Sequence, residues 1–342
     1  MNAGNHPMSR LLLWCSLVMA CAGTGYVVPA AAADRVTASD APGPVIVSGR
    51  NYTRKGADTC IKCHDVDSEY PVFDIFKTPH GVQADKRTPF GTLQCESCHG
   101  PGDKVPGSKG RYRGAHVGHI RPGDKRPPIL DFGRKGNAPV AEQNRMCMGC
   151  HTGDDRIDWP GSAHQRAELS CADCHTIHAA KDPVLDKESQ PDVCFRCHQK
   201  QRAEFQLPSN HPVRFGQLAC TDCHSVHGAA NDMLLKRPTL NETCYTCHAD
   251  KRGPFLWEHE PVAEDCTICH TPHGSIHPAL LKKRPPLLCQ QCHSQFTHAN
   301  DSFTAAGLPG GIPSGFLLAG SCTNCHSEVH GSNHPSGAKL MR

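Results

Sequence analysis

The chain has 342 residues and a formal charge of +3, from 36 Lys and Arg against 33 Asp and Glu, a balance that gives no support to nucleic-acid binding. Its 3 Trp, 5 Tyr and 11 Phe, diluted by 31 Gly and 28 Pro, exclude an ordinary apolar core, since the 38 % counted as hydrophobic includes 22 Cys. Past residue 34 there is no run of eighteen apolar residues and no series of alternating ten-residue strands, which excludes a membrane-spanning helix and a barrel formed by this chain.

In chain order the first element is an export signal over residues 1–33: Arg10 precedes the apolar run LLLWCSLVMA, and the small-residue stretch PAAAA ends at Ala33. Val18-Met19-Ala20-Cys21 also resembles a lipobox, which would place a lipid on Cys21; a cysteine inside an ordinary signal core is the preferred reading. Residues 34–54 read as a linker, and residues 55–342 as the domain that carries the chemistry.

That domain repeats one pentapeptide, C-x-x-C-H, ten times. The copies are Cys60-Cys63-His64, Cys95-Cys98-His99, Cys147-Cys150-His151, Cys171-Cys174-His175 and Cys194-Cys197-His198, then Cys220-Cys223-His224, Cys244-Cys247-His248, Cys266-Cys269-His270, Cys289-Cys292-His293 and Cys322-Cys325-His326. Zinc ribbons and disulfide scaffolds also use C-x-x-C, but neither has a reason to place His after every second Cys. A covalently attached haem does. The two thiols form thioethers with one porphyrin, and the same turn delivers the following histidine to the iron as proximal ligand. The sequence therefore predicts a decahaem c-type cytochrome, with ten haem c groups and their iron as cofactors. Haem c is attached outside the bacterial cytoplasm, in agreement with the export signal.

The expected fold is a multihaem cytochrome c: mostly irregular coil with short α-helices, wrapped around an elongated row of ten haems, with little or no β-sheet. The haems replace the missing apolar core, because the stripped chain has too little apolar surface to offset its conformational entropy. Counting a ferric porphyrin as +1 and its propionates as −2, the mature protein carries about −8 oxidised and about −18 reduced. The densest basic stretch, residues 101 to 145, then reads as a counter-charge to propionates more readily than as a docking surface for an acidic partner.

From His151 onward, plain C-x-x-C-H sites alternate with C-x-x-C-H-x-x-H sites, and the plain sites recur at 47, 50 and 45 residues. The repeating unit is a two-haem module, which predicts five: 55–135, 136–185, 186–235, 236–285 and 286–342. The extra histidines supply distal iron ligands: His80, His116, His164, His178, His211, His227, His259, His273, His298 and His330. His119, His277 and His334 are spare, although His116 against His119 and His330 against His334 remain open choices. His178 follows His175 by three residues, so it lies on the same side of the turn and cannot reach the opposite face of the haem that His175 serves. It ligates a neighbour's iron or none.

The stretches KRGPFLWEHEPVAEDCTICHTPHGS (251 to 275), LCQQCH (288 to 293) and EVHGSNHPSG (328 to 337) resemble the decahaem cytochromes of the MtrA, MtoA, PioA and DmsE group. The resemblance runs from about Lys55 to the C-terminus. It implies bis-histidine ligation at His80, His164, His178, His211, His227, His259, His273, His298 and His330. It also implies an exported conduit, periplasmic and associated with the outer membrane, inside a porin-like β-barrel, exchanging electrons with periplasmic or inner-membrane cytochromes and with an extracellular multihaem cytochrome, ferric minerals or ferrous iron. Pro101 to Asn137 is longer than the matching stretch of the metal-reducing members, and the extended N-terminal region of the phototrophic iron oxidisers is missing. Two other readings compete: a soluble periplasmic shuttle, which differs only in lacking a barrel partner, and a multihaem reductase, which needs one open iron. No C-x-x-C-K site of the reductase kind is present, and no catalytic residue is expected. The direction of electron flow is not encoded in these features.

Overall fold

All ten C-x-x-C-H pentapeptides fold in the same way. In each, the histidine N–H donates to the carbonyl of the first cysteine, at 2.9–3.1 Å. This is one helical i to i−4 bond, and it sets residues i, i+3 and i+4 on a single face, so both thiols and the imidazole are presented together. The structure is a computed structural model that describes residues 52–62, 64–68, 72–102, 129–136, 138–293 and 322–341, all within one unit spanning Pro42–Arg342. The expected signal segment with Cys21, nearly all of the linker, Cys63, His116, His119 and His298 lie outside the described residues.

The two kinds of site are built differently. Plain sites ride on helices that begin before the first cysteine: Val140–Met148, Gln190–Phe195, Leu240–Tyr245 and Leu287–Gln290. The alternating sites form a single turn that begins at the cysteine itself, as in Cys171–Asp173, Cys220–Cys223, Cys266–Ile268 and Cys322–Asn324. Two of these turns hold an aspartate between the cysteines that closes them. Asp173 accepts the Ser170 N–H at 2.7 Å, and Asp222 accepts the Ala219 N–H at 2.9 Å.

Within a module the two sites are joined by a buried side-chain amide that lies three or four residues before the first cysteine of the plain site. Asn144 donates to the Leu169 carbonyl and accepts the Cys171 N–H at 2.8 Å. Asn241 donates to the Val262 carbonyl and accepts the Cys266 N–H at 2.8 Å. Gln190 accepts the Thr221 N–H at 3.0 Å. An amide carries a donor and an acceptor on one rigid plane, so it satisfies two backbone groups that no helix or strand serves.

Between modules the joints are isolated antiparallel bridges, Ser209 to Ser275 and Trp257 to Ser332, and among the described residues no extended sheet forms. Glycines allow the chains to approach. A Cβ on Gly228 would collide with the Asp158 backbone, and one on Gly274 with the Glu204 backbone. Among the described residues the buried apolar side chains are few, and the cluster they form is small: Phe195, Phe205 and Val213 with Leu218 against them. The expected mixture of short helices and irregular chain is present, and the longest described helix has nine residues.

Asn241→Ala would leave the Cys266 N–H and the Val262 carbonyl buried without a partner, at a cost of about 1–3 kcal/mol. The thermal midpoint of the haem-loaded protein is expected to fall, with ten haems still attached by intact-mass spectrometry; an unchanged midpoint would mean that this amide does not hold the module together.

Candidate haem-binding sites

Thiols of successive sites lie against one another along the whole chain. Inside each module the first cysteines meet: Cys60 with Cys95, Cys147 with Cys171, Cys194 with Cys220, Cys244 with Cys266 and Cys289 with Cys322. Between modules the second cysteine interacts electrostatically with a cysteine of the next site, Cys98 with Cys150, Cys174 with Cys194 and Cys197, Cys223 with Cys247, and Cys269 with Cys292. Thiol hydrogen bonds within a module thus alternate with electrostatic neighbours between modules. Hydrogen bonding to the partner thiol, then burial, holds the Cys60, Cys147 and Cys194 thiols above their ordinary range, and burial pushes Cys98 up to about 11.

The histidines face each other in pairs, each joining a C-x-x-C-H histidine to one from a neighbouring module. His80 faces His151 with ring centres 5.8 Å apart, and His178 faces His99 at 6.0 Å. His164 faces His198 at 6.2 Å, and His227 faces His175 at 6.1 Å. His211 faces His248 at 6.3 Å, and His273 faces His224 at 6.2 Å. His259 faces His293, and His330 faces His270, both at 6.2 Å. Every one of the four module boundaries thus exchanges two histidines, one in each direction.

This spacing fits an iron between the rings. A transition-metal bond to imidazole nitrogen of about 2 Å on each side, plus roughly one ångström from each nitrogen to its ring centre, spans about 6 Å. The other ring nitrogen is occupied in the manner of metal-bound histidines. Nδ1 of His99, His224, His270 and His326 bonds the carbonyls of Leu130, Met233, Ala279 and Lys339, which leaves Nε2 free of its proton. Nδ1 of His164, His211 and His259 bonds the carbonyls of Val226, Pro272 and Val329. Each of these carbonyls belongs to the residue just before His227, His273 or His330, so two histidines that approach different sites lock one another. His175 and His273 instead meet carboxylates, Asp182 at 2.6 Å and Glu204 at 3.1 Å.

Burial also favours the ligand form. It lowers the proton affinity of His80, His99, His151, His198, His227, His273 and His330, and takes His178 down to about 4, with the facing His99 adding to the effect. Neutral imidazole is the form that binds a metal. Among the described residues, two buried side-chain nitrogens have no partner, Arg156 Nε and Trp159 Nε1. Trp159 lies 6.4 Å from His227, and Arg156 acts electrostatically on both His151 and His227. A haem propionate between them would supply the acceptor that both lack.

The structure therefore brings together eight of the ten expected proximal histidines with eight of the expected distal ones. His64 and His326 are described, while the two remaining expected distal histidines, His116 and His298, lie outside the described residues. His334 is engaged differently, since its Nδ1 accepts from the Ser336 backbone N–H at 3.2 Å and lies 2.9 Å from the Ser336 hydroxyl. The amide clamps and the two carboxylates were not picked out by the sequence reading, although an Asn or Gln three or four residues before the first cysteine of successive plain sites was a visible signal.

Known proteins share the repeated C-x-x-C-H sequence. Residues 210–253 and 259–298 match the doubled CXXCH motif, and residues 95–190 match the cytochrome c-type protein NrfB-like family. The chain is 45 % identical over 294 residues to the multihaem cytochrome MtrA of Shewanella baltica (strain OS185), covering 85 % of this chain and 83 % of that protein. The chain belongs to the MtrA family of multihaem cytochromes. It is also 31 % identical over 162 residues to the cytochrome c-type protein NrfB of Haemophilus influenzae, covering 42 % of this chain and 67 % of that protein. As an MtrA-family cytochrome it carries covalently attached haem at its C-x-x-C-H sites and transfers electrons.

Replacing His178, His227 or His273 by Ala removes one imidazole of a facing pair without touching any attachment cysteine. Each variant is expected to keep ten haems by mass while electron paramagnetic resonance gains one equivalent of high-spin ferric iron. His334→Ala is expected to leave every haem low-spin. A low-spin spectrum in the His227→Ala protein would remove that residue from the ligand set.

Proposed function

We propose that each facing pair is a bis-histidine ligand set, that His116 and His298 complete the two ends, and that the ten haems form one row carrying electrons across the outer membrane inside a porin-like β-barrel. The observation that carries this reading is the set of eight facing histidine pairs, with ring centres 5.8–6.3 Å apart, two of them across each expected module boundary. Haem iron cycles between ferric and ferrous states and so stores one electron at each site. The polypeptide sets how closely those sites follow one another. Two imidazoles on each iron leave no coordination position for a substrate, which favours carriage over catalysis.

The barrel follows from the character of the chain. Among the described residues no helix is long and apolar enough to cross a membrane. An irregular, polar backbone cannot lie in hydrocarbon, because its peptide groups would go unsatisfied. A row of ten haems nevertheless exceeds an outer-membrane apolar band about 25 Å tall. A barrel with a polar lumen separates such a row from lipid. The leader at residues 1–33 supports export to the periplasm, where inner-membrane or periplasmic cytochromes would serve one end and an extracellular cytochrome, ferric minerals or ferrous iron the other.

The second reading is a soluble periplasmic carrier, which needs the same row of haems and differs only in lacking a barrel partner. The two separate by fractionation. Gently solubilised outer membranes are expected to yield the cytochrome bound to a large barrel protein, and proteoliposomes holding both are expected to pass electrons from an enclosed reductant to an external ferric acceptor. Recovery wholly in the soluble periplasm, with no transfer across the vesicle, would establish the carrier.

A further inference from the structure

The Nδ1 partners of nine of the proximal and facing histidines fall into two classes. Seven bond a backbone carbonyl, which is a neutral acceptor. Two bond a carboxylate: His175, from the fourth attachment site, and His273, which faces His224 of the sixth.

Asp182 is held firmly for this role. One carboxylate oxygen takes the His175 N–H at 2.6 Å, while the other accepts the Thr176 N–H at 3.1 Å and the Val184 N–H at 3.4 Å. Its side chain is 13 % exposed, and among the described residues no Lys or Arg forms an ion pair with it. Its negative charge thus acts on His175 with little screening. Glu204 is placed less tightly. It stands 3.1 Å from His273 and is 28 % exposed, and Lys200 Nζ lies 3.8 Å from its other oxygen.

We infer that Asp182 and Glu204 are tuning residues that lower the reduction potentials of the fourth and sixth haems below those of their carbonyl-bonded neighbours, with the larger effect at the fourth. A carboxylate that accepts the Nδ1 proton gives the imidazole part of the character of its anion, so Nε2 donates more strongly to iron. Stronger donation and a fixed negative charge both stabilise the ferric over the ferrous state, and both therefore lower the potential. The fifth site lies between the two, with the Nδ1 of its facing His164 on the Val226 carbonyl. The row then has two low points near its middle, so electrons meet an uphill step in the interior from whichever end they enter. The inference rests on the ligand pairing proposed above.

The test is potentiometric titration of the full haem-loaded protein, followed by its visible spectrum. Asp182→Asn keeps an oxygen to accept the Nδ1 proton and removes the charge, so a purely structural role would leave the potentials where they are. One haem's share of the amplitude is expected to move from the low-potential end to higher potential, with every iron still low-spin by electron paramagnetic resonance. Glu204→Gln should move one haem the same way by less. Lys200→Ala, at a side chain 82 % exposed and therefore safe for folding, should move one haem to lower potential, because it unscreens Glu204. Titration curves unchanged in Asp182→Asn with ten low-spin haems retained would overturn the assignment at the fourth site, and an upward or absent shift in Lys200→Ala would overturn it at the sixth. Failure of the pairing itself would look different, as a stoichiometric high-spin signal in the unaltered protein.

Discussion

Everything in this structure depends on a gap of about 6 Å between two imidazoles from different modules. A C-x-x-C-H turn can present one histidine to a metal, but it cannot place a second on the opposite face, because residues that follow on the same turn share its side. The second imidazole has to come from elsewhere in the chain. Here it comes from the adjoining module, and the exchange runs both ways at each boundary: His80 and His178 cross the first, His164 and His227 the second, His211 and His273 the third, His259 and His330 the fourth. Segments adjacent in the sequence are thus the ones whose histidines face one another.

The work of holding the chain is divided between two scales. Within a module, buried amides such as Asn144 and Asn241 tie the start of the second site to the helix of the first. Across a boundary, the histidine exchange is reinforced by carbonyls that belong to its own partners, as when His211 bonds Pro272, the neighbour of His273. These bonds are few beside the conformational entropy of so long an irregular chain. With a cluster as small as Phe195, Phe205 and Val213, the apolar surface that offsets this entropy has to come from the porphyrins.

Function follows from the same economy. Electron transfer over a long row needs close, unreactive centres, and the alternation of first-cysteine and second-cysteine contacts brings each attachment turn against the next. Differences between centres arise from the outer partners of the ligands. A carbonyl orients an imidazole without adding charge, whereas Asp182 and Glu204 orient it and add charge as well.

The chemistry was legible in the sequence because it is local. Cys171, Cys174 and His175 must lie on one turn to meet one porphyrin, and a contact confined to five residues leaves its spacing in the text. The alternation of plain and extended sites was legible for the same reason, as was the exclusion of His178 from the far face of the haem that His175 serves, which needs only the geometry of a single helical turn. Which neighbour was not legible. The pairing of His178 with His99 rather than with His151 spans 79 positions, and nothing in the residues near either one encodes it. Nor could spacing distinguish Asp182, which curls back onto His175, from the other acids of the chain, or show that an Asn three residues before a cysteine grips a backbone twenty-five residues away. Those choices belong to tertiary structure, because a hydrogen bond or a facing ring is decided by which segments pack together, and packing is a property of the whole chain.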